Sequence, residues 1–225
     1  MPAGKTPPKG GTNGSRMSWP AGESLWRTVV PDFDAAFMAI DRVEEQLRRF
    51  TAALDAAGVP YAVIGGNAVA AWVSTIDPDA TRTTKDVDVL LRRSDLERAT
   101  AAVASVGMLR KEELGIPIFV EQDNPSPKRA VHVILADEPV RESQPRPAPS
   151  VTAARRSPQG FMVIDLPELV QMKLEANRRH DQVHIEDLLR IGLIDAELAS
   201  TLPSDLERLR HVRDTMEWFT EPPVF

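Results

Sequence analysis

The sequence contains no cysteine and few aromatic residues. Phe, Trp and Tyr together make up 5% of its 225 residues. The lack of cysteine excludes disulfides, thiolate metal sites and cysteine nucleophiles, and it favours a cytoplasmic protein. Because aromatic rings are scarce, aliphatic side chains and alanine must fill most of the core, for which a hydrophobic content of 42% is sufficient.

The chain also lacks long apolar runs and an excess of positive charge. No apolar run approaches the roughly 20 residues of a membrane-spanning helix, so no membrane partner is expected. The first thirty residues include basic groups but not the apolar centre of a secretory signal. A net charge of −6 argues against a protein that coats nucleic acid through bulk electrostatics, although a local basic groove stays possible.

Composition and periodicity divide the chain into three predicted parts. Residues 1–25 are rich in Pro, Gly, Lys, Ser and Thr and are predicted to be a disordered tail. Residues 26–166 are predicted to form an α/β core with an N-terminal helix, and residues 167–225 a helical region. Within the core, the proline-rich stretch 139–158 is predicted to be a long exposed loop. The order of strands and helices indicates a mixed sheet flanked by helices.

The most informative stretch covers residues 61–91. An apolar strand over 61–64 precedes Gly65 and Gly66, which lead into a helix of small residues with Asn67 as its predicted N-cap. Glycine permits tight turns and close approach of a ligand. A helix N-terminus presents free N–H groups, which attract phosphate. The two glycines and the Asn67 amide are therefore candidate phosphate-binding groups.

Two aspartates lie on the next predicted strand, residues 86–91. Side chains alternate between the two faces of a strand, so Asp86 and Asp88 share one face while Val87 and Val89 share the other. Two neighbouring carboxylates repel each other. A bound cation would relieve that repulsion, which makes both aspartates candidate metal ligands.

The loop before these aspartates supplies two cationic side chains. Arg82 and Lys85 lie just before the carboxylate strand, where they could contact phosphate groups. Arginine grips phosphate with a fork of N–H donors, and lysine adds a point charge. Both are candidate nucleotide ligands, and an ordinary charged loop is the alternative.

The glycine pair followed by an Asp-x-Asp strand resembles the signature of the nucleotidyltransferase superfamily, which has the polymerase-beta-like fold. More narrowly, it is similar to small bacterial nucleotidyltransferase-like proteins related to the toxins of AbiE-type systems and to antibiotic nucleotidyltransferases. The resemblance implies a nucleotidyltransferase-like α/β (α+β) fold with a Mg²⁺ or Mn²⁺ cofactor. It also implies transfer of a nucleoside monophosphate from an NTP to a hydroxyl of RNA such as tRNA, of a protein or of a small molecule. A toxin-type enzyme would in addition have an antitoxin-like protein partner.

The strand predicted over residues 129–135 departs from the superfamily pattern. The superfamily usually places a third carboxylate there, and this chain has His132 at the corresponding position. His132 either acts as ligand or base, or has a structural role. Asp123 or Asp137 is the alternative source of a carboxylate from a loop. A further possibility is a catalytically degenerate protein that only binds a nucleotide or a partner.

A later Lys, Arg and Asp pattern resembles the end of the same families and implies roles for Lys173 and Asp181 at the nucleotide site. Lys173 lies among apolar neighbours on a predicted helix, which is costly unless its ammonium meets phosphate or a carboxylate. The alternative for Lys173 is a solvated tip on an apolar stem. For Asp181 the alternative is a role restricted to capping the next helix.

Overall fold

A mixed β-sheet forms the centre of the protein. The computed structural model describes residues 33–140, 146–202 and 205–220. The strands are β1 (Ala62–Ile64), β2 (Val87–Leu91), β3 (Met108–Glu113), β4 (Ile116–Glu121), β5 (Val131–Leu135), β6 (Ala154–Arg156) and β7 (Met162–Ile164). Within the described residues, these seven strands form one sheet in the order β3-β4-β5-β2-β1-β7-β6. β1 runs antiparallel to β2 and parallel to β7, and β2 runs parallel to β5.

Helices accompany this sheet, some packed on its strands and others on neighbouring helices. They are α1 (Phe33–Ala56), α2 (Gly65–Val73), α3 (Leu96–Ala104), α4 (Leu166–Ala176), α5 (Arg179–Arg190), α6 (Ala196–Ser200) and α7 (Leu206–Thr220). In α1, apolar residues recur at helical spacing, and Leu47, Phe50 and Leu54 are buried. The Phe50 ring lies 5.2 Å from that of Phe119 in β4, which joins α1 to the sheet. The predicted α/β fold, with a mixed sheet, flanking helices and a C-terminal helical part, is confirmed.

Strand register decides which side chains point into the core and which point away from it. Val63, Val89 and Val133 lie side by side across β1, β2 and β5, and all three are buried. One residue before Val89 on β2 and Val133 on β5, Asp88 pairs with His132. Because neighbouring residues on a strand face opposite ways, this polar pair lies on the face opposite the valines. The packing of the valines thus sets the positions of Asp88 and His132.

The prediction of a long exposed loop over residues 139–158 is wrong. The stretch contains β6, which pairs with β7, and a bridge that joins Pro139 to Pro147. Ala148 is buried, and its N–H donates to Glu138 O at 2.8 Å. Ala148 and Val151 reach the core, so residues 146–158 form part of the protein body.

Two predictions about chain organisation stay predictions. The predicted tail, residues 1–25, lies outside the described residues, and the predicted division at residue 166 stays a prediction. Among the described helices, none combines the length and the apolar character needed to cross a bilayer.

Candidate functional site

A cleft of about 400 Å³ lies over the Asp88–His132 pair. Its volume falls within the range of roughly 300–1,000 Å³ typical of small-molecule sites. One part of its lining is charged or polar and includes Asp86, Asp88, His132, Lys173, Arg178 and Asp181. Another part is apolar and includes Ile134, Val140, Pro147, Leu169 and Met172. The cleft therefore offers charges of both signs beside an apolar surface.

The two glycines allow the start of α2 to approach the carboxylate segment closely. Gly65 has a φ of +69°, and a Cβ there would lie 2.2 Å from Asp88 Oδ2. A Cβ on Gly66 would lie 2.9 Å from Thr84 Oγ1. Any larger residue at position 65 would collide with the carboxylate, so glycine is required there. Both glycines line the cleft, and their binding of phosphate stays a prediction.

The prediction that Asn67 caps α2 is wrong. The helix begins at Gly65, and Ile64 is its N-cap residue. Asn67 is buried in the first turn, and its side-chain amide donates to the carbonyl oxygen of Asp86 at 2.8 Å. Its role in the structure is therefore to fix the backbone at Asp86 rather than to present an amide to the cleft.

Asp86 and Asp88 both line the cleft, as the alternation of side chains predicted. Asp86 precedes β2 and is exposed, whereas 31% of the Asp88 side chain is exposed, on its cleft side. Burial raises the pKa of Asp88, and the charge of Asp86 adds to this, while His132 opposes it. A cation between the two carboxylates would remove the repulsion that disfavours their joint ionisation.

The acidic pair could hold a divalent cation only if further ligands came from outside the protein. Among the described residues, no group of three His, Asp or Glu side chains converges to hold a metal. Mg²⁺ is commonly held by one or two carboxylates, with waters and substrate phosphates completing its shell. Asp86 and Asp88 meet that requirement, and the polar part of the cleft leaves space beside them.

His132 stands at the position predicted for it, in β5 beside Asp88. Its Nδ1 lies 3.7 Å from Asp88 Oδ1, and the two residues are register partners. Neither alternative acid lines the cleft: Asp123 borders a separate groove, and Asp137 is exposed after β5. The geometry therefore leaves His132 as the group beside Asp88 on β5.

Lys173 and Asp181 form a buried ion pair between α4 and α5. Lys173 Nζ lies 2.8 Å from Asp181 Oδ1, with 7% and 1% of the two side chains exposed. The other carboxylate oxygen accepts from Arg178 Nε at 2.8 Å and from the Arg178 N–H at 3.3 Å. Burial opposes ionisation of Asp181, but the bonds from Lys173 and Arg178 and their charges together lower its pKa. Asp181 thus caps α5 and also holds Lys173 at the cleft.

Several cleft residues were not predicted from the sequence. Thr84 faces Gly66, and Arg178 lies at the start of α5 with a half-exposed guanidinium. His184 lies one turn after Asp181. Burial, the largest effect, lowers the pKa of His184 to about 4. The spacing of Arg178 and His184 around Asp181 was the available signal, because residues three apart on a helix are neighbours.

Arg82 and Lys85 lie outside this cleft. Arg82 lines a neighbouring groove against α1 and forms a two-pronged salt bridge with Asp187 of α5. Lys85 is exposed and borders a third groove that also contains Arg129. The structure therefore does not bring these cations to the carboxylate pair, where the sequence placed them.

No protein-family model and no curated protein matches the chain. The fold is similar to the solution structure of the antibiotic-resistance factor ANT(2'')-Ia, at 15% identity and a TM-score of 0.43 over 82% of this chain and 94% of that one. It is also similar to crystalline ANT(2'')-Ia in complex with adenylyl-2''-tobramycin, at 15% identity and a TM-score of 0.45 over 76% and 97%. An antigenic nucleotidyltransferase-like protein from Paracoccidioides brasiliensis has 15% identity and a TM-score of 0.46 over 79% and 93%.

These similarities concern the general path of the chain. The α/β fold expected from the resemblance to nucleotidyltransferases is present, and the relation to AbiE-type proteins stays a prediction.

Proposed function

We propose that the protein is a metal-dependent nucleotidyltransferase, which moves a nucleoside monophosphate from an NTP to a hydroxyl acceptor. The observation that carries this proposal is the placement of Asp86 and Asp88 in one cleft with the glycine-led start of α2. An acidic pair holds a divalent cation, and a helix N-terminus favours phosphate. Their proximity suits a ligand that contains both, namely a metal-bound triphosphate.

The reaction would proceed by in-line displacement at the α-phosphorus. The acceptor oxygen forms a bond to phosphorus, the bond from the α-phosphorus to the bridging oxygen breaks, and pyrophosphate leaves. A cation held by Asp86 and Asp88 would neutralise charge on the phosphate oxygens. His132, whose Nδ1 lies 3.7 Å from Asp88 Oδ1, would accept the proton from the attacking hydroxyl.

The remaining charged residues have supporting roles in this proposal. Arg178 keeps its guanidinium half exposed at the cleft, where it can meet a departing pyrophosphate. Lys173 contributes positive charge from a fixed position, because Asp181 holds its ammonium. The apolar lining near Met172 and Pro147 is suited to the nucleobase. The acceptor is RNA such as tRNA, a protein or a small molecule.

The presence of His132 favours a second candidate, a catalytically degenerate protein that binds the nucleotide without turning it over. A transfer site needs enough negative charge to hold its cations. Here a histidine occupies the β5 position beside Asp88, and no third acid of the described residues joins the pair. Binding of ATP without turnover in Mg²⁺, Mn²⁺ and Zn²⁺ would support this candidate.

The test incubates the purified protein with each α-labelled NTP, Mg²⁺ or Mn²⁺, and a cell extract separated into RNA, protein and small molecules. Wild-type protein should label one fraction. Asp86→Asn and Asp88→Asn should each reduce labelling by about 100-fold or more, the scale of losing one electrostatic contact to a transition state. Asp123→Asn is the matched control, because Asp123 is an exposed acid outside the cleft.

Two outcomes would contradict the enzyme. The first is the absence of label in every fraction under all conditions. The second is equal labelling by wild type and Asp88→Asn, which would place the activity elsewhere.

A further inference from the structure

The salt bridge between Arg82 and Asp187 joins the two walls of the cleft. Arg82 lies four residues before Asp86, and Asp187 lies six residues after Asp181 on α5. Arg82 Nε is 2.5 Å from Asp187 Oδ2, and Arg82 Nη2 is 3.0 Å from Asp187 Oδ1. A two-pronged bond of this kind fixes orientation as well as distance.

The segment between Arg82 and Asp86 is held at two further points. Thr84 packs against Gly66, and its hydroxyl lies 3.4 Å from both the N–H and the carbonyl oxygen of Asp86. The carbonyl oxygen also accepts the bond from Asn67. The segment is thus anchored at Arg82, Thr84 and Asp86.

Asp187 is well placed to act as the anchor of this segment. Only 10% of its side chain is exposed, although 56% of the Arg82 side chain is. The helix that carries Asp187 also carries Asp181 and His184, which line the cleft. The salt bridge therefore ties the segment before Asp86 to the helix that forms the opposite wall.

From this arrangement we infer that Arg82 and Asp187 form a cross-cleft clamp, in which both are positioning residues that hold Asp86 at a set distance from α5. This inference rests on the proposed function for its effect on nucleotide binding. It replaces the role of phosphate ligand that the sequence suggested for Arg82. Neither residue contacts the ligand in this arrangement, because neither lines the cleft.

If the clamp exists, replacing Arg82 and replacing Asp187 should have the same effect on hydrogen exchange and on nucleotide binding. The two effects should not add. Arg82→Gln and Asp187→Asn should each speed amide hydrogen exchange in residues 83–88. Each should also weaken binding of Mg²⁺–ATP by about tenfold, because losing a contact that orients a metal-holding group typically costs about 10- to 100-fold in metal affinity. The double variant should be no weaker than either single variant, since both remove one interaction.

A double variant in which the two charged residues are exchanged distinguishes the clamp from direct binding of phosphate by Arg82. Arg82→Asp combined with Asp187→Arg restores the opposite charges, and it should recover much of the slow exchange and of the nucleotide affinity. Arg82→Lys, which keeps the charge without the fork, should give an intermediate loss. If Arg82 gripped phosphate itself, the exchanged pair would bind no better than Arg82→Gln.

Arg93→Gln is the matched control. Arg93 forms a two-pronged bridge to Glu138 at 2.8 and 2.6 Å, is comparably exposed, and does not line the cleft. It should leave exchange in residues 83–88 and ATP binding at wild-type values. Thermal unfolding of all variants shows whether they remain folded during the comparison.

Two results would overturn the clamp. One is an Asp187→Asn variant that matches wild type in both exchange and affinity while Arg82→Gln does not. The other is additive losses in the double variant. If wild-type protein bound no nucleotide, the proposed function would fail, whereas the hydrogen-exchange comparison would still decide whether the clamp exists.

Discussion

Gly65 and Asp88 share a space that admits no further carbon atom. The carboxylate oxygen lies where a Cβ on residue 65 would point, and the backbone there has a positive φ. Two separate effects thus require glycine: left-handed backbone strain and a steric collision. The sequence predicts a glycine turn, but only the tertiary structure shows that Asp88 fills the space beside it.

Gly65→Ala should therefore cost more stability than backbone strain alone. A left-handed non-glycine residue costs roughly 1–2 kcal/mol. Gly58→Ala is the matched control, since Gly58 has a φ of +60° and nothing lies within 4 Å of its added Cβ. Denaturant unfolding should show a larger loss for Gly65→Ala, and Mg²⁺–ATP binding should weaken only in that variant. Equal losses in the two variants would mean that Asp88 moves aside without cost.

At the scale of elements, the cleft depends on how α4 meets α5. Both helices lie in the region predicted to be helical, and Lys173 is a candidate site residue because it lies among apolar neighbours. From the sequence, either a phosphate or a carboxylate could pair with the Lys173 ammonium. The structure selects Asp181, and the reason is the turn between the helices, which brings two residues eight apart within 2.8 Å.

Asp181→Asn should destabilise the protein strongly. It leaves the Lys173 ammonium buried without its counter-charge, and breaking a buried pair in this way typically costs about 3–5 kcal/mol. Combining it with Lys173→Met removes the stranded charge, so the double variant should recover most of the loss in urea unfolding. The asparagine still accepts a bond at the start of α5, which keeps the cap in both variants. A loss below about 1 kcal/mol for Asp181→Asn would indicate that water solvates Lys173 readily.

At the scale of the whole molecule, a fall in pH lowers stability through some buried groups and raises it through others. Burial lowers the pKa of His184 from 6.5 to about 4, so the unfolded chain takes up a proton first as pH falls. Stability tied to His184 is therefore lost as pH falls from about 6.5 to about 4. Asp181 acts at lower pH, because its lowered pKa delays the loss until pH falls below the ordinary value of 3.8. Burial raises the pKa values of Asp88 and Glu175, so protonation of these acids favours the folded state.

His184→Gln should flatten the pH dependence of stability between pH 6.5 and 4. The measurement is the free energy of unfolding in urea across this range, compared with wild type and with His211→Gln. His211 is an exposed residue of α7 and serves as the control. The difference between wild type and His184→Gln isolates the histidine, since the acids are common to both. An unchanged slope in His184→Gln would mean that the ring is protonated as readily in the folded protein as in the unfolded chain.

The sequence by itself determined the acidic pair, the glycine turn and the face of β5 on which His132 lies, because alternation along a strand is a local property. It also determined the α/β class, because apolar periodicity and turn residues mark most of the elements. Only the tertiary structure decided that Asn67 secures the Asp86 backbone, that Arg82 bonds to Asp187, and that residues 146–149 form a wall of the cleft. Each of these contacts joins segments that are distant in the chain, so it depends on how strands and helices pack rather than on any local pattern.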